Sequence, residues 1–184
     1  MKRDAQATRK RILEAAVAEF SHYGIAGARV DRIAAASASN KAMIYTYFGS
    51  KEGLLEAVGE WLVAWHLQEV PLDTQDLPEY AARVFDRYQA HPELMRLVNW
   101  DRLERGGGGE KASRLAETVQ AKVEAIAQAQ REGRLGTHFP APVLLELLLA
   151  LVELPTCVAD LRDEEARAAR RQAIKDAVAR LIER

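Results

Sequence analysis

Cysteine is almost absent from this 184-residue chain, where Cys157 stands alone. A single thiol excludes an intrachain disulfide framework and points to a reducing compartment. Glycine and proline are sparse, at 11 and 6 residues. No stretch alternates apolar and polar residues in a run rich in Val, Ile and Thr, which argues against sheet. The longest apolar run, Val143 to Val152, is interrupted by Glu146 and falls far short of the roughly 20 residues that cross a bilayer. The basic N-terminus MKRDAQATRKRI has no apolar stretch behind it, so no secretory signal is expected. These absences together predict a cytoplasmic protein with no membrane partner.

Catalytic and metal chemistry is equally thin. His22, His66, His91 and His138 are scattered without ligand spacing, and Cys157 has no histidine near it in sequence. Glu146 and Glu153 lie seven apart on one helical face and read as interface or solvent groups rather than an acid–base pair. Gly106 to Gly109 follows a helix and lacks the lysine of a phosphate-binding loop. No cofactor, no metal and no enzymatic activity are expected.

What is present is helix-forming. Ala, Leu, Arg and Glu dominate, and 48% hydrophobic with 29% charged residues is ordinary for a folded chain. The fold class expected is all-α. Charge is unevenly split: residues 1 to 53 carry nine Lys and Arg against five Asp and Glu, and the remainder seventeen against twenty-two. The N-terminal part is therefore the one suited to a polyanion.

Ile12, Leu13, Ala16, Val17, Phe20 and Tyr23 recur on one helical face, with Glu14, Glu19 and His22 elsewhere and Gly24 as a stop. ARVDRIAAAS gives a second, short helix, and SASN supplies turn and cap residues for a third from Lys41 to about Phe48. Ser50 caps a fourth helix that runs to about Val70. After the break at Pro71 to Pro78, helices are expected over EYAARVFDRYQA, over ELMRLVNWDRLER, from Glu110 to about Glu132, over VLLELLLALVEL and from about Asp163 to Glu183. The domains expected are 1–50 and 51–184.

Two short helices joined by a three- to four-residue turn and braced by a longer one form a helix-turn-helix, whose second short helix enters the DNA major groove. Ile33, Ala34, Ile44 and Tyr47 are expected to hold the pair together. Pointing away are Asn40, Lys41, Ala42, Met43, Tyr45 and Thr46. Asn40, Lys41 and Thr46 can hydrogen-bond bases or phosphates, and Ala42, Met43 and the threonine methyl can pack on thymine methyls. The bland alternative is an ordinary surface helix.

RKRILEAAVAEFSHYGIAGARVDRIAA and NKAMIYTYFGSKEGLL, with Tyr45, Tyr47, Phe48, Ser50, Lys51, Glu52 and Leu54, resemble the DNA-binding domain of the TetR family of bacterial transcriptional regulators. The resemblance implies phosphate contacts for Tyr47 and Lys51, a phosphate or base-packing role for Tyr45, and a groove-facing position for Lys41 to Met43 with Thr46. Two departures stand out. Ala38 and Ser39 occupy turn positions that are usually glycine and a hydrophobic residue. Ala28 and Arg29 replace the usual threonine or serine that opens the second helix, so Arg29 takes over that phosphate contact as a charge.

The resemblance further implies a C-terminal helical regulatory and dimerisation domain. The partners implied are double-stranded operator DNA, a second copy in a homodimer, and an unidentified small-molecule effector that releases a repressor. Ligand-pocket candidates are Trp61, Trp65, His66, Phe85, Tyr88, Met95 and Trp100, with plain core as the alternative. Dimer candidates on the last two helices are Leu144, Leu148, Leu151, Ile174, Val178, Leu181 and Ile182, with burial inside one subunit as the alternative. A ligand-independent regulator or activator, or a helical adaptor or enzyme that lost DNA binding, are the rival functions.

Overall fold

The computed structural model describes residues 2–105, 113–153 and 163–183, in which every regular element is a helix. In order these are α1 (Lys2–Gly27), α2 (Val30–Ala36), α3 (Lys41–Phe48), α4 (Lys51–Glu69), α5 (Leu77–Ala90), α6 (Pro92–Arg105), α7 (Ser113–Arg131), α8 (Ala141–Glu153) and α9 (Glu164–Leu181). Cys157 and the four-glycine run lie outside the described residues. The chain divides into two compact units, residues 1–65 with 91–115, and 66–90 with 116–184.

The first unit closes around α1. Ile12, Leu13, Ala16, Val17 and Phe20 recur every three or four residues and are all buried, together with Val30, Ile33 and Ala34 of α2, Ile44 of α3, Leu54, Leu55 and Val58 of α4 and Leu97 of α6. Gly24 has a φ of 73°, a left-handed value that breaks α1, and one further turn follows to Gly27. The glycine therefore ends the long regular helix, as expected, and the short turn to Gly27 follows across a kink. Tyr23, expected inside, is 47% exposed. Its ring instead supports the Arg32 guanidinium, 4.0 Å above the centroid.

Local chemistry explains the boundaries. The Asn40 side chain accepts from the Met43 N–H at 2.7 Å and starts α3. Ser50 accepts from the Gly53 N–H at 3.0 Å and starts α4. The close turn between these helices requires glycine at 53, since a Cβ there would stand 2.2 Å from the Phe48 carbonyl oxygen.

In the second unit Tyr80, Ala81, Val84 and Phe85 of α5, Ile126 and Ala129 of α7, Leu144, Leu145, Leu148 and Val152 of α8, and Ile174 and Val178 of α9 form one core. All seven dimer candidates face this core. Leu144, Leu148, Ile174 and Val178 are buried in it, and Leu151, Leu181 and Ile182 are half-buried against it. Burial within the subunit, the alternative reading, accounts for the first four, while Leu151, Leu181 and Ile182 keep part of their apolar surface open. An ion cluster fastens α5 to α9: Arg171 bonds Asp86 at 2.8 Å and also Glu79, and Lys175 meets Glu79 at 2.8 Å. These two cations hold the Glu79 carboxyl down at about 2, Lys175 contributing most.

Candidate nucleic-acid interface

The geometry of α3 sorts its residues cleanly. Ile44 is fully buried and Phe48 packs on the same core, whereas Lys41, Ala42, Met43, Tyr45, Thr46 and Tyr47 are all exposed. Tyr47, expected to help hold α2 against α3, is 37% exposed and joins the outward face, while Phe48 does the packing. A short helix that shows Met, two Tyr, Lys and Thr to solvent leaves a mixture of apolar and hydrogen-bonding groups uncovered.

Several of these groups are already oriented within the chain. The Lys41 ammonium meets Asp31 of α2 at 3.1 Å. The Asn40 oxygen is committed to the cap, and the Thr46 hydroxyl donates to the Ala42 carbonyl at 2.8 Å. Lys51 donates to the Ala26 carbonyl at 3.1 Å, a bond that does not exhaust an ammonium with three donors. Arg9 of α1 lies over the Phe48 ring, 5.4 Å from its centroid, which places one more cation beside the end of α3.

The two sequence departures acquire a structural explanation. Arg29 sits at the N-cap position of α2 but makes no side-chain cap bond, so the orphan N–H groups need another acceptor. Glu19 supplies it, accepting from the Arg29 N–H at 2.8 Å and from Arg32 Nε at 2.8 Å. Although Glu19 falls on the outer face in the sequence pattern, it is buried. Burial alone raises its pKa, but the Arg32 and Arg29 hydrogen bonds outweigh this and hold the carboxyl below its ordinary value. The signal was the missing serine or threonine cap itself.

In the turn, Ala38 carries a φ of 50°, a conformation that costs a residue with a Cβ about 1–2 kcal/mol. The Ser37 and Ser39 hydroxyls meet at 2.7 Å, and Ser37 also donates to the Ile33 carbonyl at 2.8 Å. A hydroxyl pair thus anchors the turn where an apolar residue is usual.

The pocket candidates are divided between the two units. Trp100 of α6 donates to the Ser21 carbonyl at 3.3 Å, and its ring lies against Gly24, so it docks α6 on α1. Phe85 is buried in the second core with Tyr88 packed on it. Met95 is half-buried on α6, and the side chains of Trp65 and His66 lie outside the described residues. Trp61 borders an open cleft of about 650 Å³ beside α1, shared with His22, His91 and Arg96. Among the described residues no cluster of His, Cys, Asp and Glu could hold a metal, and no helix is long and apolar enough to cross a membrane.

The pattern of a buried Ile33–Ala34–Ile44 contact beneath an exposed α3 face is matched by family comparison. Residues 12–58 match the model for bacterial regulatory proteins of the tetR family, and residues 76–184 match the tetracyclin repressor-like C-terminal domain. The chain belongs to the TetR family. It is a DNA-binding transcriptional regulator built on the helix-turn-helix of α2 and α3. It is 38% identical to the HTH-type transcriptional repressor SCO4008 of Streptomyces coelicolor over 99% of this chain and 98% of that protein. Identity is also 38% to the HTH-type transcriptional repressor NicS of Pseudomonas putida, over 60% of this chain and 56% of that one. Among solved structures, the transcriptional regulator SCO4942 from Streptomyces coelicolor superposes with a TM-score of 0.81 at 36% identity, covering 96% of this chain and 99% of that one. This TetR-family relationship spans both units, not the DNA-binding head alone.

Proposed function

We propose that this TetR-family protein is a cytoplasmic, non-enzymatic repressor that binds a two-fold symmetric operator as a homodimer and releases it when a small molecule binds. The observation that carries the DNA-binding part is the α3 face, where only Ile44 is buried and six consecutive neighbours around it are open to solvent. Lys41, Ala42, Met43 and Thr46 are the candidates for base contact. Arg29, Asn40, Tyr45, Tyr47 and Lys51 are the candidates for phosphate and groove-edge contact, and they position the helix without reading sequence. Repression follows the two curated relatives, each of which is named a repressor.

Dimerisation is assigned to the surfaces that the core leaves over. On α8 these are Val143, at 40% exposure, with half-buried Leu147 and exposed Ala150; on α9 they are Ala169, Ala173 and Ala177. The small α9 residues let a second pair of helices approach closely, and their i, i+4 spacing keeps them on one stripe. A dimer presents two copies of α3, whose separation must match whole turns of DNA, about 34–36 Å or a multiple. A ligand that prefers another separation weakens the complex by its difference in affinity for the two states.

The test is a salt-dependent mobility shift with fragments taken from the gene's own genomic neighbourhood, read with the protein's mass in solution. One fragment should bind far more tightly than random DNA, to a dimer. Equal affinity for all fragments would favour the rival reading, a helical adaptor that has lost sequence recognition.

A further inference from the structure

The helix-turn-helix carries one acidic residue. Between Ala28 and Ser50 the sequence sets Arg29, Arg32 and Lys41 against Asp31 alone. Asp31 lies in the first turn of α2 and is exposed. Its carboxylate is turned to the opening residue of α3: the Lys41 ammonium stands 3.1 Å from one oxygen and 3.5 Å from the other. Among the described residues Asp31 has no other partner, and the neighbouring Arg32 is engaged by Glu19 and the Gly27 carbonyl.

A carboxylate on a surface that must approach a polyanion lowers affinity by repulsion. Its ion pair adds little to folding, since the Lys41 and Asp31 side chains are 52% and 61% exposed. An acid in the first turn of a helix complements the macrodipole, but that role needs no lysine. The partner gives the carboxylate a second role. An ammonium on a four-carbon stem is a flexible point charge, and on DNA its strongest attraction is to phosphate, a contact that carries no sequence information. Reading a base requires the charge to be kept where the base edge will be. Asp31 supplies that restraint. It occupies one side of the ammonium, partly neutralises its pull toward phosphate, and leaves at least one of three N–H donors for a base. The major-groove acceptors that suit lysine are guanine O6 and N7.

We propose that Asp31 is a specificity-determining residue: by holding the Lys41 ammonium off phosphate, it makes Lys41 a reader of guanine in each half-site of the operator. Asp31 is a positioning residue that acts through Lys41. The inference rests on the reading given above, that the α3 face meets base edges.

The test compares the full-length parent with Asp31→Asn, Lys41→Ala and the double variant, by selection from a random duplex pool and by titration of the selected sequence over a range of salt. Asparagine keeps the size of the side chain and an acceptor oxygen at the start of α2, so Asp31→Asn should fold as the parent does. The parent should select a guanine in each half-site that Lys41→Ala ceases to select. Asp31→Asn should lose about tenfold in discrimination at that same base pair, within the range for one base contact. It should nevertheless bind unrelated DNA more tightly, with a salt slope steeper by up to about 0.9, as the freed ammonium neutralises a phosphate. In the Lys41→Ala background the Asp31 change should alter no base preference. Four results overturn the proposal: Asp31→Asn keeps the parent's discrimination at every position, as it would if the carboxylate served only the start of α2; it relaxes positions other than the one Lys41 reads; it loses discrimination equally with and without Lys41; or the base pair released by Lys41→Ala contains no guanine. A parent that selects no sequence, or a Lys41→Ala variant that selects the parent's sequence unchanged, overturns the proposal together with the reading beneath it.

Discussion

Glu104 on α6 accepts hydrogen bonds from two consecutive backbone N–H groups of α1, Ile25 at 3.0 Å and Ala26 at 2.6 Å. These are the first donors after the Gly24 break, so a side chain from another helix caps the last turn of α1. The Ala26 carbonyl accepts from Lys51 of α4. One residue of α1 is thus gripped from both α4 and α6. Glu104→Ala should destabilise the first unit by about 1 kcal/mol, the usual cost of a lost helix cap. Glu104→Gln should lose less, because its amide oxygen still accepts. Denaturant unfolding followed by circular dichroism checks the order; an alanine variant as stable as the parent would show that the contact does not brace α1.

The turn between α2 and α3 gives an opposite expectation. Ala38 holds a left-handed backbone, which glycine adopts without a Cβ penalty. Ala38→Gly should raise stability by up to about 1 kcal/mol, the relief of strain being partly offset by the greater freedom of glycine in the unfolded chain. Ala38→Val should lower it, since branching at Cβ worsens the same clash. A glycine variant that melts below the parent would contradict the strain.

Acid should loosen the second unit through Glu79. Its carboxyl titrates at about 2 in the folded chain, against an ordinary value of 4.5. A depressed carboxylate contributes stability that is complete above the unfolded value and is lost as pH falls from about 4.5 through about 2. With the side chain about a third exposed, solvent screening reduces the contribution to the order of 1 kcal/mol. Glu79→Gln should therefore lose stability at neutral pH and show a flatter acid branch in pH-dependent melting. An unchanged acid branch would mean that Lys175 and Arg171 do not hold the carboxylate in solution.

At the subunit surface, Ala173→Arg should yield a folded monomer, because Ala173 is exposed in the subunit and a long charged side chain on the α9 stripe blocks close helix approach. Leu148→Asp should instead unfold the second unit, since it buries a charge in that unit's own core. Light scattering and circular dichroism on the two variants separate the cases. A dimeric Ala173→Arg protein would place the interface elsewhere.

The contrast between those two residues shows what periodicity conveys. Apolar spacing marked the inward faces of α1, α2 and α3 correctly at Ile12, Phe20, Ile33 and Ile44, and the caps at Asn40 and Ser50 followed from side-chain chemistry alone. It also found the apolar faces of α8 and α9. It could not say whose surface covers them, because a helix in the core of one subunit and a helix between two subunits show the same pattern. The same ambiguity put Tyr23 and Tyr47 inside, since an aromatic ring beside a cation or at a DNA surface satisfies the same spacing. Glu19 was missed because a buried carboxylate depends on the distant Arg32 and on the uncapped start of α2. The pairing of Lys122 with Tyr80 joins residues 42 apart in the chain, a distance over which local pattern carries no information.

If the exposed face of α3 reads DNA sequence, Lys41 is the residue whose removal should show it. Its ammonium is steadied by Asp31, but the side chain is exposed and buries nothing, so Lys41→Ala should leave folding intact. The measurement is selection of bound sequences from a random pool by the parent and by Lys41→Ala at one salt concentration. The variant should relax its preference at one or two base pairs in each half-site, a loss of about 1–3 kcal/mol in discrimination at each, while the rest of the selected sequence is retained. The same selected sequence, bound more weakly but with every position equally discriminated, would show that Lys41 meets only phosphate. Selection of no sequence by the parent would contradict the account itself.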